Sequence, residues 1–257
     1  MEDYYGVKLF DRISRKLYLT ENGRRALQYA RHIIDLLDEM EQGVRDVDAM
    51  GRLKVGTSIT IGTYLLPGYI KKLKQQYPAL KVEASIANSG TIEQQILDND
   101  IDVGIIEGVA HSPFILSESF AGDRLVFICP AGHEFAGKTL EELSEVRNQD
   151  FILREKGSAG REIFDGILAA QENVRPVWQS ASNQVILQGV KAGLGISILP
   201  YFLVRQDIRE GELAEFRIKD LALNRKYSVI YHKNKFLPRS ARTLMELCKE
   251  GNGADRL

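Results

Sequence analysis

Leu53-Lys54-Val55-Gly56-Thr57-Ser58-Ile59 decides how the rest of this 257-residue chain is read. It is a short β-prone run that follows Gly51 and breaks with the long helical pattern before it. Beyond it, Leu65, Leu66, Ile70 and Leu73 recur at helical spacing up to Tyr77-Pro78. Lys81-Val82-Glu83-Ala84-Ser85-Ile86 reads as a second strand, and Ser89-Gly90-Thr91 opens a short helix through Leu97. Ile101-Asp102-Val103-Gly104-Ile105-Ile106 is a third strand, buried on both faces by its composition. Strand–helix alternation of this kind predicts an α/β fold with a parallel sheet.

A second unit follows Arg124-Leu125-Val126-Phe127-Ile128-Cys129-Pro130. It holds Asp150-Phe151-Ile152-Leu153-Arg154, a helix from about Gly160, a strand at Pro176-Val177-Trp178-Gln179 and a helix from Asn183. Leu194-Gly195-Ile196-Ser197-Ile198-Leu199-Pro200 is a strand ended by proline. The late strand Lys226-Tyr227-Ser228-Val229-Ile230-Tyr231-His232 and a last helix over 239–249 have no place in that unit. They are expected to return and complete the first lobe. The chain would then cross twice between lobe I, about 52–130 and 228–250, and lobe II, about 131–227, with a hinged cleft between.

Upstream, Arg12-Ile13-Ser14-Arg15-Lys16 separates Lys8-Leu9-Phe10 from Lys16-Leu17-Tyr18-Leu19. A tight hairpin with a cationic tip is expected, its Arg12, Arg15 and Lys16 placed to lie against phosphates. A solvated turn is the other reading. Thr20 suits a helix N-cap. From there Ala26, Ala30, Ile33, Leu37, Met40, Val44 and Val47 recur at alternating spacings of four and three, the seam of a pairing helix. Such a helix of ~30 residues is ~45 Å long, more than one compact domain needs. A symmetric partner chain is the expected cover for its stripe.

Composition sets the bounds. A hydrophobic content of 44% and a charged content of 27% describe a globular chain rather than a disordered one. No apolar run approaches the ~20 residues of a membrane helix, and Glu2 and Asp3 open the chain where a secretion signal would be basic and apolar. The cytoplasm is therefore the expected compartment, with no membrane partner. Cations outnumber carboxylates over residues 1–31 while the whole chain carries a net charge of −1, a distribution that suits a polyanion partner. Cys129 and Cys248 read as reduced structural thiols, or as a redox pair if the fold joins their segments in one lobe.

Three pieces in this order resemble the LysR-type bacterial transcription regulators over about residues 1–250. They are Gly6-Val7-Lys8-Leu9-Phe10-Asp11-Arg12 with the helix after it, Asp102-Val103-Gly104-Ile105, and Val190-Lys191-Ala192-Gly193-Leu194-Gly195-Ile196 followed by Leu199-Pro200. The resemblance implies a partial winged-helix remnant over 1–20 and a linker or dimerisation helix over 21–50. A two-lobed, periplasmic-binding-protein-like effector domain over 51–251 would follow. In that family a helix-turn-helix that reads bases in the major groove precedes these residues. The chain opens at Met1-Glu2, where the family ends its recognition helix, so most of the base-reading part is expected to be missing. DNA is then a partner of the full-length form, as a homodimer or homotetramer whose geometry an effector shifts.

Ligands in open α/β sheets bind beyond the C-terminal strand ends, where helix N-termini point. That rule selects Ser58 and Thr60 after the first strand, Ser89, Gly90 and Thr91 after the second, and Glu107 after the third. From the second lobe it selects Arg154, Ser158, Arg161 and Asn183. Hydroxyls, free amides and arginines around one cleft suit a small anionic effector: a carboxylate, sulfate or phosphate ester. In the resembled family, Ser58 and Thr60 match positions that touch the effector. Plain N-capping is the other reading of each hydroxyl, and pairing with Glu155 or Glu162 the other reading of the arginines.

No cofactor, metal or enzyme activity is expected. His32, His111, His133 and His232 are scattered without zinc-site spacing, and Gly193-Leu194-Gly195 lacks the rest of a dinucleotide fingerprint. Two rival functions remain open. One is a solute-binding module without DNA function, which predicts an export signal and a monomer. The other is a shortened regulator that acts only in mixed dimers.

Overall fold

The computed structural model describes residues 1–13, 16–45, 51–168 and 176–250. It opens with a helical turn, α1 (Glu2–Tyr5), closed by Gly6 at φ 66°. Glu2 Oε1 accepts from the amides of Leu9 (2.5 Å) and Phe10 (3.0 Å), and these two bonds hold its carboxyl below the usual carboxylate range. Strands β1 (Phe10–Ile13) and β2 (Lys16–Leu19) then pair antiparallel. Arg12 stands opposite Leu17, and Lys16 opposite Ile13. Because side chains alternate along a strand, Arg12 and Lys16 project from opposite faces of the hairpin rather than from one cationic tip. Arg15 lies outside the described residues.

Thr20 caps α2 (Glu21–Arg45), its Oγ1 accepting from Gly23 N at 2.9 Å and donating to Lys8 O at 2.7 Å. This 25-residue helix is about 38 Å long at 1.5 Å per residue. Along the expected seam Ala26 is half-buried and Ala30 exposed, while Ile33, Leu37 and Met40 are each more than half exposed. The side chain of Val44 and the whole of Val47 lie outside the described residues.

The first lobe is built on β3 (Arg52–Ser58), which pairs parallel with β4 (Lys81–Ala87) and β5 (Val103–Glu107). The helix expected between the first two strands is divided into α3 (Ile59–Tyr64) and α4 (Leu66–Gln76). Pro67 is the reason: it has no N–H to donate and its ring clashes with a preceding turn, so it starts a helix rather than continuing one. Helix α5 (Ser89–Leu97) lies close on the sheet through Ile92 and Ile96. Gly56 permits that approach, since a Cβ there would stand 3.1 Å from Ile92 Cγ2 of α5.

The 16-residue strand β6 (Ile115–Pro130) belongs to both lobes. Beyond it come β7 (Thr139–Leu140), β8 (Phe151–Arg154), α6 (Ala159–Leu168), β9 (Pro176–Ser180) and α7 (Asn183–Lys191). The order continues with β10 (Ser197–Pro200), α8 (Tyr201–Arg209), β11 (Leu213–Ile218), β12 (Asn224–His232) and α9 (Arg239–Glu250). Up to Arg124, β6 pairs with β12; from Leu125 onward it pairs with β10 and β11. The sheet thus changes lobe at 123–125, and the segment 125–130 belongs to lobe II rather than lobe I. Leu125, Phe127 and Cys129 bury on one face of that segment and Val126 and Ile128 on the other, so it is a central strand of the second core.

The C-terminal elements pack against the first sheet. β12 sits between β5 and β6, and α9 places Leu244, Leu247 and Cys248 in the first core beside Leu66 and Leu73 of α4. Cys129 lies in the second core, so the two thiols do not form a redox pair. Burial pushes Cys129 up to about 11 and Cys248 to about 12.

Candidate functional site

The strands of β3, β4 and β5 end at the junction of the lobes, and each end hands the chain to a polar segment. At the first, Ser58 closes β3 and Thr60 sits in the opening turn of α3. Both are almost fully buried, and neither side-chain hydroxyl finds a hydrogen-bond partner among the described residues. A buried hydroxyl left unpaired costs about 1–3 kcal/mol. Ile59, between them, lines an interlobe groove whose other walls are Thr63, Tyr64, Ala181, Ser182, Asn183, Gln184, Leu187, Leu199 and Leu203. The groove encloses about 880 Å³ including its open mouth. Tyr64 of α3 meets Phe202 of α8 edge-to-face at 5.2 Å, joining the lobes at one side.

At the second strand end the lobes touch through hydrogen bonds. Gly90 N donates to Gly157 O at 3.0 Å, and Asn88 Nδ2 donates to Glu155 Oε1 at 3.3 Å. Asn88 Oδ1 also caps α5 by accepting from Thr91 N at 2.9 Å. Ser89 Oγ donates to Glu107 O at 2.9 Å, which ties this turn to the end of β5. The amides of Gly90 and Thr91 are therefore engaged within the protein.

Glu107 is bound into a buried triad. Its Oε2 accepts from Arg225 Nη1 at 2.9 Å, and Arg225 grips Asp123 through Nε (2.6 Å) and Nη2 (2.7 Å). Burial works against the Arg225 charge, but Glu107 and Asp123 outweigh it and raise the guanidinium above its ordinary value. Glu107 Oε1 has no partner among the described residues. The triad clamps the point where β6 and β12 cross between lobes.

Arg154 ends β8, almost buried, with its Nε and Nη2 on Glu155 Oε2 and Oε1 at 2.9 and 3.1 Å. Its Nη1 donates to Asn183 Oδ1 at 2.9 Å, which places it directly behind the groove wall. Ser182 Oγ caps α7 by accepting from Val185 N at 3.4 Å. Arg161 is committed elsewhere. It pairs with Asp165 (2.7 Å), the partner four residues on that a helix favours, rather than with Glu162. Its Nη1 also donates to Arg154 O and to Gln179 Oε1, both at 3.2 Å. Ser158 Oγ accepts from Arg161 N at 3.3 Å and opens α6. Of the ten expected ligand residues, Asn183 lines the groove, Arg154 stands behind it through Asn183, and Ser58 and Thr60 flank the lining residue Ile59 in sequence; Ser89, Gly90, Thr91, Glu107, Ser158 and Arg161 make hydrogen bonds within the protein.

Residues 48–253 match the family model of the LysR substrate binding domain. The chain belongs to the LysR family of transcription regulators. It is 34% identical over 255 residues to the HTH-type transcriptional regulator YeiE of Escherichia coli K12, an alignment covering 98% of this chain and 85% of that protein. The regulatory domain of Synechocystis PCC6803 CcmR, solved in complex with 2-PG, superposes with a TM-score of 0.70 at 24% identity, covering 79% of this chain and 98% of that one. Full-length OxyR from Pseudomonas aeruginosa gives 0.70 at 21% identity, covering 96% of this chain and 82% of that one. These likenesses carry the fold: a two-lobed, periplasmic-binding-protein-like effector domain.

Several residues of this LysR-family chain escaped the sequence reading. Thr63, Tyr64, Leu187 and Leu203 line the groove, yet a helical apolar stripe looks the same whether it faces a core or a cleft. Arg225 and Asp123 lie far apart in sequence and carry no motif. Among the described residues, Asp207, Glu210 and Glu212 are close enough to hold a cation, but Lys191 already pairs with Asp207 and Glu212. No described helix is long and apolar enough to cross a membrane.

Proposed function

We propose that this LysR-family regulator senses a small anion, a carboxylate, sulfate or phosphate ester, in the groove between its lobes. The observation that carries the reading is the pair of buried, unpartnered hydroxyls on Ser58 and Thr60 at the mouth of α3. An anion supplies the acceptors they lack and accepts from the Arg154 fork behind Asn183. The complex of the related CcmR domain with 2-PG supports this ligand class.

Helix α5 offers a route from groove to oligomer. Its first turn touches lobe II through Gly90, and its last residue, Leu97, accepts from Gln28 Nε2 of α2 at 3.0 Å. A shift between the lobes therefore reaches the helix that carries the open seam at Ile33, Leu37 and Met40, through which two copies would pair. Contact with DNA and a cytoplasmic location belong to the same reading. Arg12 and Lys16 lie on opposite hairpin faces, so one of them at a time can rest on a phosphate.

Calorimetric titration of wild type and a Ser58→Ala/Thr60→Val variant with sulfate, inorganic phosphate and 2-PG tests the proposal. Removing unsatisfied hydroxyls should stabilise the unliganded chain, by up to about 1–3 kcal/mol, while weakening anion binding about tenfold or more. The two effects have opposite signs, which general damage does not produce. Unchanged affinity in the variant would falsify the assignment.

A further inference from the structure

We propose that Glu155 is an internal competitor for the effector anion, holding the Arg154 fork until a ligand displaces it. This rests on the anion reading above. The Glu155 carboxylate accepts from Arg154 Nε and Nη2 at 2.9 and 3.1 Å, the two-point grip by which a guanidinium holds a carboxylate or phosphate. The same carboxylate accepts from Asn88 Nδ2 across the lobe junction at 3.3 Å. Glu155 thus joins lobe II to the first turn of α5 in lobe I, as a bridging ligand would.

An arginine has five N–H donors, and the two in this fork are the paired set that suits a planar anion. Any effector that takes them must displace Glu155. Arg154 keeps its third contact, to Asn183 on the groove wall, throughout that exchange. The Glu155 side chain is 24% exposed against 8% for Arg154, so the carboxylate can rotate to water while the guanidinium stays in place.

Charge decides which ligands succeed. A monoanion replacing Glu155 exchanges one negative charge for another and gains little at the fork. A dianion brings twice the attraction to the same guanidinium in a partly buried setting, where such attraction is least screened. The cost of displacing Glu155 is common to all anions, so Glu155 lowers the affinity for each alike, while the advantage of sulfate and phosphate esters over monocarboxylates comes from the Arg154 charge itself.

Thermal-shift titrations of the full chain with sulfate and with acetate, at matched ionic strength, test this. Wild type, Glu155→Gln, Glu155→Ala and Arg154→Met are compared. Both Glu155 variants should bind sulfate and acetate each at least about fivefold more tightly than wild type does, because the resident charge that either anion had to displace is gone. If both instead weaken the two anions, Glu155 only positions Arg154 and the competitor proposal fails alone. If Arg154→Met binds sulfate as wild type does, or no variant binds either anion, the anion reading falls and this proposal with it.

Discussion

Arg225 shows how a residue contributes through partners that its own segment does not contain. It comes from β12, Asp123 from β6 and Glu107 from the end of β5, and all three are buried where the chain passes between lobes. Arg225→Met leaves two buried carboxylates without a cation, a loss of about 3–5 kcal/mol. Urea denaturation at neutral pH should show the midpoint falling accordingly, and an unchanged midpoint would mean that the triad contributes nothing to the hinge. Sequence could select Ser58, Thr60 and Arg154 because their chemistry is local: a hydroxyl or cation at a strand end. Glu107 and Arg161 met the same criterion, and both are tied into hydrogen bonds within the protein. Arg225 reaches Glu107 and Gln179 reaches Arg161 through tertiary structure, which no spacing rule reveals, whereas Asp165 is the helical neighbour of Arg161 four residues on.

Among the elements, the helix α2 makes the clearest demand for something beyond the single chain. Ile33, Leu37 and Met40 stand more than half exposed in a line along it, whereas α4 and α9 bury their apolar faces in the first core. Leu37→Glu should leave the lobes folded, since Leu37 touches neither core, and weaken self-association by about 2 kcal/mol or more. Sedimentation velocity would read this as a shift from dimer to monomer with an unchanged melting transition; a dimer that survives the substitution would assign pairing to another surface. The strand–helix alternation of both lobes was legible because a buried parallel strand and an amphipathic helix have different periods. β7, α8 and β11 were not. A two-residue strand has no period, and β11 alternates in a chain segment that also reads as charged surface. Nor did the sequence reveal the length of β6, whose first half mixes Ser117, Glu118 and Ser119 with apolar neighbours because it is half-exposed beside β12.

At the scale of the whole molecule, the two crossings make the lobes separate bodies joined by β6 and β12. The groove, the hydrogen bonds of 88–90 to 155–157 and the Tyr64–Phe202 contact all lie between those bodies. A ligand that prefers one interlobe angle shifts the population toward it, and under the proposed function α5 would pass that angle to α2 through the Gln28–Leu97 hydrogen bond. Hydrogen–deuterium exchange on the full chain, with and without saturating sulfate or 2-PG, reads this directly. The account expects slowed exchange at residues 58–62, 88–91, 154–158 and 182–185, with a change reaching 97 and the facing turn of α2 around 28. Protection confined to another surface, or binding that leaves all of these segments exchanging as before, would contradict an anion site between the lobes.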